Sequence, residues 1–325
     1  MSDTWEGRLP RVAVVGAGLW GRNHVRNYAE IGALEAVVDQ NEAVASELAG
    51  KHAARALSFD AALAYPQIDA FVFALPPSQN FPLGKRVLEA GKHLFVEKPM
   101  TMTVAEGEEL CRLADRLDRR LMVGHILQYH PAFIALRRLV EAGRFGRLLS
   151  LVSTRLDIGR IRREEDALWA LAPHDVSMVL ALVGAEPEIV TARGGYYTHP
   201  TIADVTDLHL SFPGGAEAEI RSSWLHPFKE QKLAVIGEAG MAVFDDREAW
   251  DRKLLVYPHR IADRNGVPFA ERAEPEPVRL EQGEPLRQEC LHFLDCVRTG
   301  ARPVSDGWEG LRVLKVLERA SAALG

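Results

Sequence analysis

Gly16, Gly18 and Gly21 carry the clearest chemical pattern in the chain, following the apolar run Val12 to Val15 with the spacing G-x-G-x-x-G. The run is β-branched, uninterrupted and too short for a helix, so it reads as a buried parallel strand. After such a strand the first glycine permits a tight turn, the second lets the backbone approach a pyrophosphate, and the third lets the following helix pack closely. Exposed N–H groups at the start of that helix then form an anion site. Glycines alone also fit a ligand-free turn. What adds weight is a second apolar strand, Leu34 to Val38, ending in Asp39, 18 positions beyond Gly21. A carboxylate there accepts hydrogen bonds from the hydroxyls of an adenosine ribose. The full pattern predicts dinucleotide binding, and the charge of Asp39 favours NAD over NADP, whose 2′-phosphate it would repel.

The elements that follow must bring other reactive groups to this loop. Glu42 to Ala49 reads as a helix, Ala56 to Phe59 as a short strand, and Asp60 as the N-cap of a helix from Ala61 to Tyr65. Ile68 to Leu75 is a strand stopped by Pro76-Pro77, Asn80 to Ala90 a helix stopped by Gly91, and His93 to Val96 a further strand. Thr103 and Glu106 form a capping box for a helix from Val104 to Leu117, before a strand from Leu121 to Gly124. Strands alternating with helices imply right-handed crossovers and a doubly wound parallel sheet, an α/β Rossmann domain over residues 1–124. Ligands bind such sheets at the carboxyl ends of the strands. The glycine loop with Leu19 and Trp20, the segment Leu75-Pro76, and Glu97-Lys98-Pro99 all fall there. Lys98 before Pro99 fits a solvated strand end, but its place at the ligand edge favours a chemical role.

Past Gly124 the grammar changes. Helices are expected at Pro131 to Glu141 and at Pro173 to Val183, with strands at Arg147 to Leu156, Glu188 to Ala192, Asp207 to Phe212, Ala216 to Trp224, Lys232 to Ile236, Met241 to Phe244 and Leu254 to Tyr257. Pro213-Gly214-Gly215 marks a hairpin turn. Residues 125–325 are therefore expected to form an α+β domain on an open, mostly antiparallel sheet. Ile261 to Pro285, polar and rich in Pro and Glu, reads as a loop. Leu286 to Thr299 and Trp308 to Leu324, the latter capped by Ser305 or Asp306, are closing helices that pack back on the first domain.

Composition narrows the function. With 325 residues, 47% hydrophobic and 26% charged, the chain suits a two-domain globular protein. A net charge of −6 argues against a nucleic-acid partner and leaves small anionic substrates open. No apolar run reaches the length of about 20 residues that spans a bilayer, and the first ten residues lack a signal-peptide core, so no membrane partner and a cytoplasmic location are expected. The three cysteines, Cys111, Cys290 and Cys296, form no Cys-x-x-Cys, and the 11 histidines form no His-Glu-x-x-His. Packing thiols and no metal are expected.

Val-Gly-Ala-Gly-Leu-Trp-Gly21, Ala-Leu-Pro-Pro-Ser78, Val-Glu97-Lys98-Pro99-Met and Ala-Pro-His174-Asp, in that order and spacing, resemble the glucose-fructose oxidoreductase / inositol dehydrogenase (Gfo/Idh/MocA) family over nearly the whole chain. Gly124-His-Ile-Leu-Gln-Tyr-His-Pro131, Ala167-Leu-Trp-Ala-Leu-Ala-Pro-His-Asp175 and Trp224-Leu-His-Pro-Phe-Lys-Glu-Gln231 are similar to its nucleotide-sugar 3-dehydrogenases. The resemblance implies hydride transfer between a sugar ring carbon and nicotinamide. Lys98 matches the lysine that hydrogen-bonds the reacting hydroxyl, and His174 the histidine that moves its proton, a task suited to imidazole near neutral pH. Many members carry an Asp four residues before this His. Ala170 stands there here, and Asp157, Asp166 and Asp175 are the acids that could replace it. Asn80 occupies a place where the family often has His after the Pro-Pro turn, a candidate on the nicotinamide side.

Gln128, Tyr129, Arg155, Arg162, Arg163 and Trp169 complete the candidate substrate contacts. Gln128 and Tyr129 also fit a helix-cap segment beside Pro131, and Trp169 also fits the core. The run Arg160-Ile-Arg-Arg163 fits either a solvated loop or a cationic clamp for a diphosphate. The expected activity is NAD-dependent oxidation of a sugar, UDP-N-acetylglucosamine or its uronate at C3. Dehydrogenation of a free sugar, glycoside or inositol is one alternative, and a non-catalytic NAD sensor is another. The strand Leu208-His-Leu-Ser-Phe212 suggests a partly apolar outer sheet face, hence a homo-oligomer.

Overall fold

The computed structural model describes residues 8–324. Residues 1–7, part of the stretch read above for a leader, lie outside them. The chain folds into two compact units, one of residues 8–126 with 284–314, the other of residues 127–283 with 315–324.

The first unit alternates β1 (Val12–Val15), α1 (Leu19–Ile31), β2 (Leu34–Val38), α2 (Glu42–Lys51), β3 (Arg55–Ala56), α3 (Phe59–Ala64), β4 (Ala70–Phe73), α4 (Pro77–Glu89), β5 (His93–Glu97), α5 (Val104–Arg116) and β6 (Leu121–Gly124). The strands form one parallel sheet in the order β3-β2-β1-β4-β5-β6. Strand order reverses between β1 and β4, which opens a crevice at their carboxyl ends. Residues of β1, β4 and β5 are buried without alternation because both faces of the sheet are covered. The capping box forms with a shift of one residue: Thr103 Oγ1 accepts from Glu106 N, while the Glu106 carboxylate accepts from Met102 N. The cap of α3 is Ser58, not Asp60, because its hydroxyl reaches the amide of Ala61. The helix therefore begins at Phe59, which takes that residue out of the expected strand and puts Asp60 in the first turn.

The second unit contains α6 (Pro131–Glu141), β7 (Leu148–Ile158), α7 (Ala167–Leu171), α8 (Pro173–Val183), β8 (Ile189–Gly195), β9 (Val205–Ser211), β10 (Glu217–Ser223), β11 (Leu225–Gly237), β12 (Gly240–Asp245), β13 (Leu254–Tyr257), β14 (Arg260–Arg264), β15 (Val267–Glu271) and β16 (Glu276–Pro277). Eight strands form an open sheet in the order β16-β13-β12-β11-β7-β10-β9-β8, antiparallel except for β7 with β10. Helices α6, α7 and α8 cover one face. The chain then continues into α9 (Pro285–Thr299) and α10 (Gly307–Leu324). Asp306, rather than Ser305, caps α10, with Oδ1 2.8 Å from Glu309 N.

Two expectations are corrected here. The stretch read as a loop holds the hairpin β14–β15, turned by Asn265 and Gly266 at φ 57° and 82°. Asn-Gly is the dipeptide that favours such a tight turn, and it outweighs the polar composition around it. Leu208, Leu210 and Phe212 face inward and are buried. Cross-strand register instead places Arg193, Asp207, Arg221, Thr154, Lys232 and Asp245 in one outward row. The outer face is charged along that row, and its apolar part lies on β11 to β13, at Ile236, Met241, Val243 and Leu255.

Candidate functional site

In the first unit, Gly16 turns the chain at φ 94°. A Cβ on Gly16 would stand 2.4 Å from the Ala74 carbonyl oxygen, and one on Gly21 only 1.8 Å from that of Gly16. Both positions therefore exclude any side chain. Gly18 differs, since a Cβ there would meet nothing within 4 Å. Its bare backbone opens the N-terminus of α1, where no side chain caps the helix, and this is the room and polarity a pyrophosphate needs. Asp39 Oδ2 accepts from Ala17 N at 2.6 Å and Oδ1 from Asn41 N at 2.8 Å. The carboxylate braces the loop and keeps lone pairs for ribose hydroxyls. Gly16, Gly18, Asp39, Leu75 and Pro76 line one cleft of about 990 Å³. Leu19 and Trp20 stand exposed at its helix start.

β5 brings Glu97, Lys98 and Pro99 to the same edge of the sheet, with the Lys98–Pro99 peptide cis. Glu97 Oε1 accepts from His24 Nε2 at 2.7 Å and from the Trp20 indole, and Oε2 from the Lys98 amide at 3.3 Å. Asn80 is buried and donates through Nδ2 to the Pro99 carbonyl at 3.2 Å, supporting the turn. β6 ends in glycine because a Cβ at Gly124 would stand 2.9 Å from Glu97 Oε2. The next residue, His125, is fully enclosed. Burial, and then the charge of Lys98, lowers its pKa to about 3, so it stays neutral.

In the second unit, α8 is buried on most of its circumference, and His174 in its first turn is one of the few side chains to reach the surface. Its neighbour Asp175 is buried and accepts from Arg155 Nε at 2.6 Å, Arg155 Nη2 at 3.2 Å and Ser153 Oγ at 2.7 Å. This ties the start of α8, which carries His174, to β7. Arg155 is thus engaged with Asp175 through Nε and Nη2. Asp166 caps α7 by accepting from Trp169 N, and Ala170 packs with Ala167 against Trp224. Of the acids that could stand in for the family Asp, Asp175 is held by Arg155 and Asp166 by its cap.

Gln128 is buried and donates to Ser177 Oγ at 2.7 Å, and Tyr129 is buried beside it. His130 caps α6. Trp169 is half-buried with its indole N–H on Ser321. Arg162 and Arg163 are exposed, and Arg162 pairs with Glu165. His24, His125 and Glu289 escape sequence reasoning. His24 does carry a signal, being a polar residue on the apolar stripe Gly21, Val25, Tyr28 of α1. The three cysteines are free and buried, and burial pushes Cys111 up to about 12 and Cys296 to about 11. Among the described residues no cluster of three or more His, Cys, Asp or Glu is arranged to hold a metal ion, and no helix is long and apolar enough to cross a membrane.

Comparison with known proteins agrees with this geometry. The model of the Gfo/Idh/MocA oxidoreductase family, NAD-binding Rossmann fold, matches residues 10–125, and that of the Gfo/Idh/MocA C-terminal domain matches residues 133–243. The chain is 31% identical to the UDP-N-acetylglucosamine 3-dehydrogenase of Acidithiobacillus ferrooxidans over 306 residues, 94% of each protein. It is 25% identical to the inositol 2-dehydrogenase of Rhizobium meliloti over 323 residues, 95% of each. The solved structure of the Acidithiobacillus enzyme superposes with a TM-score of 0.85 at 29% identity, covering 97% of both chains. The chain belongs to the Gfo/Idh/MocA family and is an NAD-binding oxidoreductase related to sugar and inositol dehydrogenases.

Proposed function

We propose that the protein oxidises a ring hydroxyl of a nucleotide sugar, C3 of UDP-N-acetylglucosamine or its uronate, in the cytoplasm. The observation that carries this reading is the position of Lys98 at the carboxyl end of β5, on the sheet edge that also bears Gly18 and Asp39. The substrate class follows from similarity to the Acidithiobacillus enzyme. Gly16, Gly18, Leu19, Trp20, Gly21, Asp39, Leu75 and Pro76 would hold NAD, with Asn80 and Glu97 shaping the turn on the nicotinamide side. NAD, when bound, accepts a hydride from the ring carbon. Lys98 hydrogen-bonds the reacting hydroxyl and polarises its oxygen, and the partly buried imidazole of His174 takes the proton. Gln128, Tyr129 and Trp169 shape the sugar site, with Arg155 behind them. Arg162 and Arg163 supply cationic contacts to a diphosphate. The apolar strip on the outer face of β11 to β13 is the surface through which copies of the chain associate.

The test is formation of reduced nicotinamide on adding NAD with a panel of UDP-sugars, free sugars and inositols. Turnover with a UDP-N-acetylhexosamine alone supports the reading, and turnover with inositol alone replaces it by the second relative's activity. Lys98→Ala should lower kcat by about a hundredfold or more while NAD binding, read by calorimetry, is retained. Undiminished turnover removes Lys98 from the chemistry.

A further inference from the structure

Behind the Glu97–Lys98 peptide the first unit buries a polar group that hydride transfer does not by itself require. His24 and Tyr28 from α1 and Glu289 and Cys290 from α9 are each wholly removed from solvent. The Tyr28 ring stacks on His24 at 6.2 Å between centroids, and Phe95 packs edge-on against His24 at 5.2 Å. Cys290 Sγ lies 3.9 Å from His24 Nδ1. Burial drives this thiol upward, so it keeps its hydrogen. Nε2 faces Glu97 Oε1 at 2.7 Å and is the donor there, since a carboxylate only accepts. Glu97 is therefore met by three N–H groups, those of Trp20, His24 and the Lys98 amide.

Glu289 has none of this. Among the described residues neither of its oxygens has a hydrogen-bond partner, and the charge that acts on it is that of Glu97. The other titratable groups around it are Tyr28 and Cys290. Arg26 and Glu284 pair with each other at 2.5 Å in exposed positions, and β6 places Gly124 beside Glu97. A carboxyl group enclosed with no hydrogen-bond donor among the described residues resists ionisation, the more so near a second carboxyl. Glu97 holds all the donors and so keeps the charge. Glu289 keeps a proton, its acidity weakened by burial and then by Glu97.

We propose that Glu289 and Glu97 form one buried pair carrying a single proton and a single charge, and that Glu289 is a positioning residue for the Lys98 turn. The role rests on the reading of Lys98 given above. The three donors of Glu97 belong to the helix of the glycine loop and to the amide of Lys98 itself. The charge on Glu97 therefore ties the dinucleotide loop to the lysine. A second charge, on Glu289, would repel Glu97 from those donors and release both.

The experiment compares full-length wild type, Glu289→Gln, which copies the protonated acid, and Glu289→Leu, which fills the space without a polar group. An acid protonated in the native state and ionised in the unfolded chain costs stability increasingly as pH rises above the ordinary glutamate range. Glu289→Gln should therefore melt above wild type at pH 8, by about 3 °C or more, with the gap closing toward pH 5. Its kcat should stay within about twofold of wild type, while Glu289→Leu loses about tenfold in kcat with little change in the KM for NAD. A gap between the Gln variant and wild type that stays the same from pH 5 to pH 8 would show that Glu289 titrates alike in the folded and unfolded chain and would overturn the pair. Equal kcat in the Gln and Leu variants would overturn the positioning role, as would a Lys98→Ala protein that still turns over. Only that last result also removes the reading of Lys98, and the melting curves stand apart from it.

Discussion

Asp175 and Glu97 are both buried carboxylates that adjoin a candidate catalytic side chain, His174 in one unit and Lys98 in the other, yet their charges are met in opposite ways. Asp175 receives a two-point guanidinium and a hydroxyl. Glu97 receives the N–H groups of an indole, an imidazole and a backbone amide, and a second acid acts on it from α9. A pair such as Arg155–Asp175 loses heavily if either partner goes, because the remaining charge stays buried. The Glu97 arrangement gathers single N–H donors from separate places in the chain and so responds to the neighbours that orient them. The first device suits a rigid mount for a helix start. The second suits a turn whose pose is linked to a ligand loop.

The contrast can be broken most directly at its ionic end. Arg155→Met should cost about 3–5 kcal/mol of stability by denaturant titration, and the double variant with Asp175→Leu should recover most of that. A single-variant loss below about 1 kcal/mol would mean that Asp175 is not held by charge. Acid sharpens the comparison next. His93 and His125, both in the first unit, are held down to about 3, by burial and then by nearby cations. They stay neutral in the native chain while the unfolded chain takes up protons below about pH 6.5. Stability is then lost as pH falls, by about 2 kcal/mol for each group at pH 5. Replacing His125 with Phe should remove its share of this slope. Asp246 in the second unit behaves differently, because the bonds from His130 and Lys253 overcome its burial and hold it at about 2. Its contribution is lost only below about pH 4. The smallest effect is expected at the exposed pair Arg162–Glu165. Arg162→Ala should change stability by no more than about 0.5 kcal/mol and should weaken turnover of a UDP-sugar more than that of a free sugar.

Much of the first unit was legible because its signals are local. The glycine spacing, the uninterrupted apolar strands and the caps at Gly32 and Thr103 each involve a few consecutive residues. The hairpin at Asn265-Gly266 is equally local, but the polar composition around it carries the signature of a loop. The direction of Leu208 was harder. Alternation shows that neighbouring residues face opposite ways, but which face meets the helices depends on where α6, α7 and α8 pack. Lys98 and His174 stood out through family motifs. What holds them did not, since Arg155 and Gln128 look like ligand-facing residues until Asp175 and Ser177 are placed beside them.

The sequence by itself determined the dinucleotide loop, the parallel sheet that presents it, the family and the two residues to test first, because backbone conformation and period of burial are set over a few residues. Tertiary structure alone decided how each buried charge is met. Asp175 finds Arg155 from 20 positions away, Glu97 finds His24 from 73, and Glu289 comes to them on a helix near the end of the chain. The free energy of an ionisable group inside a protein is fixed by what surrounds it in space, and no run of neighbouring residues records that.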